Sequence, residues 1–220
     1  MPENREPPVP SVQKSPQQVL PLYPEQEAAK TAVVGMTLVM VALTMMFGGM
    51  FYGIGMLRIR SPFWPPPGMP TMPILLPAMS TVVLLASSAV LKFAKNSLAA
   101  GSLQKHKQQV LLSAALGAVF VVLQTGLVVK MWGAGLRLDS GPYGSLFFFL
   151  TAFHAFHVLV GIGLFGWLTP NAVGLARTEP RTALHRTRLA TQTLRTRLVS
   201  MYWHFVDIVW VLLFVVLFLY

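Results

Sequence analysis

The sequence predicts an all-α integral membrane protein, a bundle of five transmembrane helices. Hydrophobic residues make up 54% of the 220 residues and charged residues only 11%, a composition unlike that of a soluble domain. The charges lie in short stretches between five long apolar segments, and these segments lack the alternation of a transmembrane β-strand. Helices are therefore the expected membrane-spanning elements, because they satisfy their own backbone hydrogen bonds in lipid.

Each apolar segment exceeds the roughly 20 residues that a helix needs to cross the hydrocarbon core. Residues 1–30 are polar and rich in proline, and we predict that they form a flexible cytoplasmic tail. Residues 31–220 then form the membrane domain. The helices are predicted over residues 31–57, 74–94, 108–130, 144–168 and 198–220.

The ends of these helices can be read from local composition. Four glycines in the first helix, Gly48, Gly49, Gly53 and Gly55, favour close packing against another helix. The proline-rich stretch that follows predicts a rigid loop with Trp64 near the membrane interface. Pro170 is expected to close the fourth helix, and residues 178–197, rich in Thr and Arg, to lie on lipid headgroups or in water.

The distribution of basic residues predicts the orientation. With five spans, 13 of the 17 Lys and Arg residues fall on the side of the N-terminus. The positive-inside rule then places the N-terminus in the cytoplasm and the C-terminus outside. The net charge of +10 follows from this topology, and no nucleic-acid binding is expected, because the basic residues flank apolar spans and lack interleaved aromatics.

Polar groups inside the last two helices mark the candidate site. His154, His157 and Gly161 share one face of the fourth helix, which should therefore point into the protein. The fifth helix carries His204 and Asp207. At about 1.5 Å per residue, His157 and Asp207 lie at nearly the same depth, so Asp207 is expected to pair with either His157 or His204.

These residues allow three interpretations. A hydrogen-bonded group that locks the last two helices together is favoured. A b-type haem site is an alternative, since imidazoles on facing helices ligate haem, and a proton pathway is another. The chain has no Cys and lacks a phosphate-binding glycine loop, so no catalytic, cofactor-binding or metal-binding residue is expected on it.

Several motifs resemble subunit III of the haem-copper respiratory oxidases. The closing segment Tyr202–Trp210 is similar to that family's final signature, and Phe153–Val158 with Gly161 is similar to its preceding histidine motif. Weaker matches precede them in the same order. They are Gly35–Met36, Trp64–Pro66, Val83–Ser87 with Ser97–Leu98, Leu123–Gln124 and Tyr143–Ser145 with Phe147–Phe148. Five helices correspond to the family's shorter bacterial form.

The resemblance implies a subunit without haem or copper of its own, which binds phospholipid and packs on the catalytic subunit I, where the haem and copper lie. It implies a bacterial inner-membrane cytochrome c oxidase, or alternatively a quinol oxidase or nitric oxide reductase. Three acidic positions of the family fall at Leu43, Leu127 and Arg197, which leaves Asp207 as the one acid expected within the membrane. Six residues are expected to organise the lipid cleft or to lock the helices: Trp64, Lys95, His154, His157, His204 and Asp207.

Overall fold

The chain folds into five long helices in a computed structural model that describes residues 24–63, 73–176 and 183–219. They are α1 (Pro24–Arg60), α2 (Leu75–Ala99), α3 (Leu103–Gly133), α4 (Pro142–Ala176) and α5 (Ala183–Phe214), and a π-helical turn, Val215–Leu219, ends the last. All five are long and apolar enough to span a membrane, and the described residues contain no strand. The prediction of an all-α membrane bundle is confirmed.

The helices extend beyond their predicted ends. Helix α1 begins at Pro24, a residue favoured at the first helical position, so residues 24–30 of the predicted tail are helical. Helix α4 does not end at Pro170 as predicted but continues to Ala176. A proline removes one backbone hydrogen bond and does not have to end a membrane helix.

Helix α5 also begins earlier than predicted, at Ala183, and takes in most of the stretch expected to lie on headgroups or in water. Gln192, Thr196 and Val199, spaced four and three residues apart, are buried along one face of the helix. Packing of this face on neighbouring helices therefore supports helix in a segment whose composition is not apolar.

Helices α2 and α3 form a tight antiparallel pair. Gly101 has φ +75° at the turn between them, and the amides of Gly101 and Ser102 bond to the carbonyls of Leu98 and Ser97 in a Schellman motif. Further along the pair, the Ser87 hydroxyl donates to the Ser113 carbonyl at 2.9 Å and the Ser113 hydroxyl to the Ser87 carbonyl at 3.0 Å. Small hydroxyl residues thus let the two backbones approach closely.

Helices α4 and α5 complete the core, and α1 lies against its side. Trp203 and Trp210 of α5 are fully buried in the core, together with Phe120 of α3 and Phe165 of α4. Helix α1 has contacts with α4 and α5, and only Phe47 and Ile54 are buried among its described side chains.

No described residue packs closely on the α1 glycines. A Cβ atom added at Gly48, Gly49, Gly53 or Gly55 would have no described atom within 4 Å. The glycines that do pack are Gly117 of α3 and Gly161 of α4, which lie on either side of Trp203.

Candidate functional site

The buried carboxylate of Asp207 lies between α5 and α2. Asp207 is 4% exposed, and its Oδ2 accepts a hydrogen bond from the Ser88 hydroxyl of α2. His204, one turn earlier on α5, places Nδ1 3.0 Å from Ser88 Oγ and 3.8 Å from Asp207 Oδ2. The Ser88 hydroxyl therefore lies between the carboxylate and the imidazole, and joins α2 to both side chains of α5.

Of the two pairings that the sequence left open, Asp207 lies beside His204 and not His157. The Nδ1 of His157 is 2.8 Å from the Phe153 carbonyl of its own helix, and its ring lies edge-on to Phe47 and Phe153. Equal depth did not bring His157 and Asp207 together, because depth does not specify which face of each helix meets the other. The partner that sequence reasoning missed is Ser88, and the only signal for it was a serine within an apolar helix.

The predicted inward face of α4 is confirmed. His154 is 1% exposed and lies among Phe120 and Trp210, with ring centroids 6.1 and 5.2 Å away. Neither ring nitrogen of His154 has a hydrogen-bond partner among the described residues. Gly161, on the same face, lies against Trp203: a Cβ atom there would be 2.7 Å from the indole ring.

Side chains of the segment Tyr202–Trp210 reach each of α2, α3 and α4. The Tyr202 hydroxyl donates to the His157 carbonyl of α4 at 3.1 Å, and the Trp210 Nε1 donates to the Thr81 hydroxyl of α2 at 2.9 Å. Trp203 fills the space between the Gly117 backbone of α3 and α4. This segment is therefore a packing centre for the bundle.

A second polar group joins three helices near the turn between α2 and α3. His106 of α3 donates from Nδ1 to the Ala94 carbonyl of α2 at 2.9 Å, and its Nε2 is 3.0 Å from Gln192 Nε2 of α5. Both side chains are buried. Sequence reasoning missed this group, because His106 lies in a short basic stretch that predicts solvent exposure.

Lys95 lines a cavity of about 350 Å³ at the same end of the bundle, between α2 and α5. Asn96, Thr193, Thr196 and Arg197 also line it. Two basic side chains from different helices make this cavity suited to an anionic group. Trp64, the remaining predicted site residue, lies outside the described residues, and within those residues no three His, Asp or Glu side chains are grouped as a metal site.

Comparison with known proteins identifies the family to which this chain belongs. The family model for cytochrome c oxidase subunit III matches residues 25–220. The chain belongs to the cytochrome c oxidase subunit III family. The match covers all five helices and both histidine-bearing segments of α4 and α5.

Individual relatives agree with the family. The chain is 27% identical to "Cytochrome c oxidase subunit 3" of Thermostichus vulcanus over 187 residues, 85% of this chain and 86% of that protein. It is 29% identical to the protein of that name from Synechocystis over 185 residues, 84% and 74% of the two chains. The Lumbricus terrestris protein is 35% identical over 154 residues, 69% of this chain, but the match spans only about half of the longer animal protein, 53%.

Subunit III membership places the chain among the multi-pass membrane proteins of respiratory oxidases, in complex with other oxidase subunits. Members of the family generally carry no redox cofactor of their own. In this member of the family, Trp203 lies at the centre of the helix packing and Asp207 in a buried polar group between α2 and α5.

Proposed function

We propose that this chain is the non-catalytic, phospholipid-binding subunit III of a bacterial haem-copper cytochrome c oxidase, in which it stabilises the catalytic subunit I. The complex reduces dioxygen to water and pumps protons, with haem and copper held by the partner. The observation that carries the proposal is that Tyr202, Trp203 and Trp210 each connect α5 to another helix. Side chains that connect several helices in this way are typical of a subunit whose role is structural.

The partial exposure of His204 supports a protein partner. Its side chain is 41% exposed although it lies within the fifth apolar span. An imidazole facing hydrocarbon costs free energy, so such groups usually face protein or water. We assign the α2–α5 face around His204 to the contact with subunit I.

The Lys95–Arg197 cavity supports phospholipid binding. Both side chains are basic, neither has an ion-pair partner among the described residues, and the cavity lies at the end of the α2 span. An anionic headgroup would be attracted by both charges. With the N-terminus in the cytoplasm of a bacterial inner membrane, the positive-inside rule puts this cavity at the cytoplasmic leaflet.

Purification of the intact complex from its native membrane tests the assignment. We expect this chain to purify with a haem-copper subunit and the haem spectrum to stay with that subunit when the two are separated. A Soret band that stays with the isolated chain would instead indicate a b-type haem protein. Oxidation of quinol but not cytochrome c, or reduction of nitric oxide, would overturn the cytochrome c oxidase assignment.

Lipid binding is tested by native mass spectrometry of the purified complex. We expect the Lys95→Gln, Arg197→Gln double variant to lose at least one bound anionic phospholipid that the wild-type complex retains. Lys92→Gln is the matched control, because Lys92 is exposed on the same helix and does not line the cavity. Equal lipid retention in all three proteins would contradict the headgroup assignment.

A further inference from the structure

A second cavity, of about 390 Å³, lies between α3 and α4 at the opposite end of the bundle, near the turn that joins these two helices. Its described lining is almost wholly apolar and contains no charged side chain. The lining residues that matter here are Thr125, Val128, Leu138, Phe148, Phe149 and Ala152. A concave, apolar volume of this size is typical of ligand sites.

The cavity is a groove that runs along the helices. Its lining on α4 extends from Phe148 to Ala155, which is about 10 Å of helix. Thr125, Phe149 and Ala152 are exposed at its edge, and all three lie within the apolar spans of α3 and α4. The groove therefore opens on the surface of the bundle at a depth where the bilayer is hydrocarbon.

Two polar side chains in the lining already donate to groups of the protein. Gln124 donates from Nε2 to the Ser80 hydroxyl of α2 at 2.6 Å, and the Thr125 hydroxyl donates to the Val121 carbonyl of its own helix at 2.9 Å. A ligand that brings polar groups into this groove would leave them without partners, whereas a hydrocarbon chain has none to lose. The groove thus suits an acyl chain.

A basic side chain lies beside the end of the groove that is nearest to the α3–α4 turn. Arg137 immediately precedes Leu138, which lines the groove, and its Cζ lies 5.1 Å from the centroid of the Trp132 ring. The Trp132 ring is in turn edge-on to the Phe148 ring of the groove wall, at 5.6 Å. The guanidinium is therefore separated from the wall by a single indole.

The positive charge of Arg137 is available to a ligand. Its side chain is exposed, and neither Asp139 of the same turn nor any other described acid forms an ion pair with it. A guanidinium donates well to phosphate oxygens. Trp132 is 45% exposed at the end of the α3 span, the position at which tryptophan commonly meets the headgroup region.

The order of these groups matches the order of groups in a phospholipid. From the turn towards the middle of the span, the chain presents a cation, an interfacial aromatic ring and an apolar groove. A phosphate inside the groove would lack a counter-charge, but next to Arg137 it would have one.

We propose that the α3–α4 groove is a phospholipid site, in which one acyl chain lies along Phe148 and Ala152 and the phosphate binds Arg137. The site lies in the leaflet opposite to the Lys95–Arg197 cavity. It requires only that the chain spans a bilayer, so it does not depend on that cavity or on which oxidase contains the subunit.

Photocrosslinking of the intact complex in phosphatidylcholine nanodiscs tests the site. Two probes carry the same diazirine-labelled acyl chain: a phosphatidylcholine and a diacylglycerol, which lacks the phosphate. Labelling of residues 148–155 is measured by mass spectrometry relative to labelling at Val82, an exposed residue of the α2 span. The phosphatidylcholine should label residues 148–155 about threefold to fivefold more than the diacylglycerol, the effect of one exposed basic residue on a phosphate. Equal labelling by the two probes would overturn the proposal.

Variants then locate the two parts of the lipid. Arg137→Gln should abolish the preference for the phosphate-bearing probe, whereas Arg60→Gln, the same change at an exposed position at the same end of the bundle, should preserve it. Ala152→Phe fills the groove and should reduce labelling of residues 148–155 by both probes to the level at Val82. A preference that survives Arg137→Gln, or groove labelling that survives Ala152→Phe, would contradict the proposed site.

Discussion

At the scale of single residues, Asp207 is stabilised by neighbours that come from two helices. Ser88 donates to one carboxylate oxygen, His204 lies 3.8 Å from the same oxygen, and Oδ1 has no partner among the described residues. An ionised carboxylate within an apolar span depends on such donors, since burial without them costs several kcal/mol. The arrangement therefore stabilises the α2–α5 contact only while Ser88 and His204 stay in place.

We expect Asp207→Asn to weaken assembly and long-term turnover more than the initial rate of oxygen reduction. The change keeps the side-chain shape but removes the charge, and a hydrogen bond to a charged group contributes about 1.5–3 kcal/mol. The half-life of activity of the purified complex, measured beside its initial rate, checks this. Ser88→Ala, which removes the donor and keeps the charge, should shorten the half-life similarly, and immediate inactivity of fully assembled Asp207→Asn complex would contradict a packing role.

At the scale of helices, the contact of α5 with α3 and α4 depends on glycines at two positions. Gly117 and Gly161 lie against opposite parts of the buried Trp203 indole, each with a hypothetical Cβ 2.7 Å from a ring carbon. Phe165 supports the same ring edge-on at 4.9 Å. A tryptophan held in this way cannot move aside, so the space at Gly161 admits no side chain.

We expect Gly161→Ala to destabilise the subunit by about 1–3 kcal/mol, because overpacking in a close-packed core outweighs the small gain in helix propensity. Gly163→Ala is the matched control: it lies two residues away on α4, and a Cβ there has no atom within 4 Å. The control should be neutral or more stable by up to about 1 kcal/mol. Thermal denaturation of the purified complex compares them, and equal midpoints would refute close packing on Trp203.

The sequence predicted helix positions far better than helix partners. The five spans follow from apolar length, and the spacing of His154, His157 and Gly161 identified the buried face of α4. The start of α5 at Ala183 was not predicted, because hydropathy identifies the part of a helix that crosses the membrane and not the polar turns that extend beyond it. Ser88 and Gly117 could not be found, since which small residue meets a neighbour depends on helix rotation that one sequence does not specify.

At the scale of the whole molecule, the five helices contribute unequally to the core. Helices α2 to α5 form most of the core, whereas only Phe47 and Ile54 of the described α1 side chains are buried in it, and a Cβ at Gly48, Gly49, Gly53 or Gly55 has no described atom within 4 Å. Glycines without neighbours contribute nothing to the fold of the subunit itself and lower helix propensity. A second helix, from another subunit of the oxidase, could approach α1 closely at these positions.

We expect Gly53→Leu to leave the isolated subunit as stable as the wild type but to reduce its incorporation into the oxidase severalfold. A Cβ at Gly53 has no described atom within 4 Å, so the new side chain starts in open space, whereas a partner helix packed on glycine would be displaced. Quantifying this subunit against the catalytic subunit in purified complex measures the effect. Gly35→Leu, equally unobstructed at the other end of α1, should assemble normally if the partner contacts only the glycine-rich half. Normal incorporation of Gly53→Leu would mean that this face of α1 contacts lipid, and the subunit would then dock through the α2–α5 face around His204 alone.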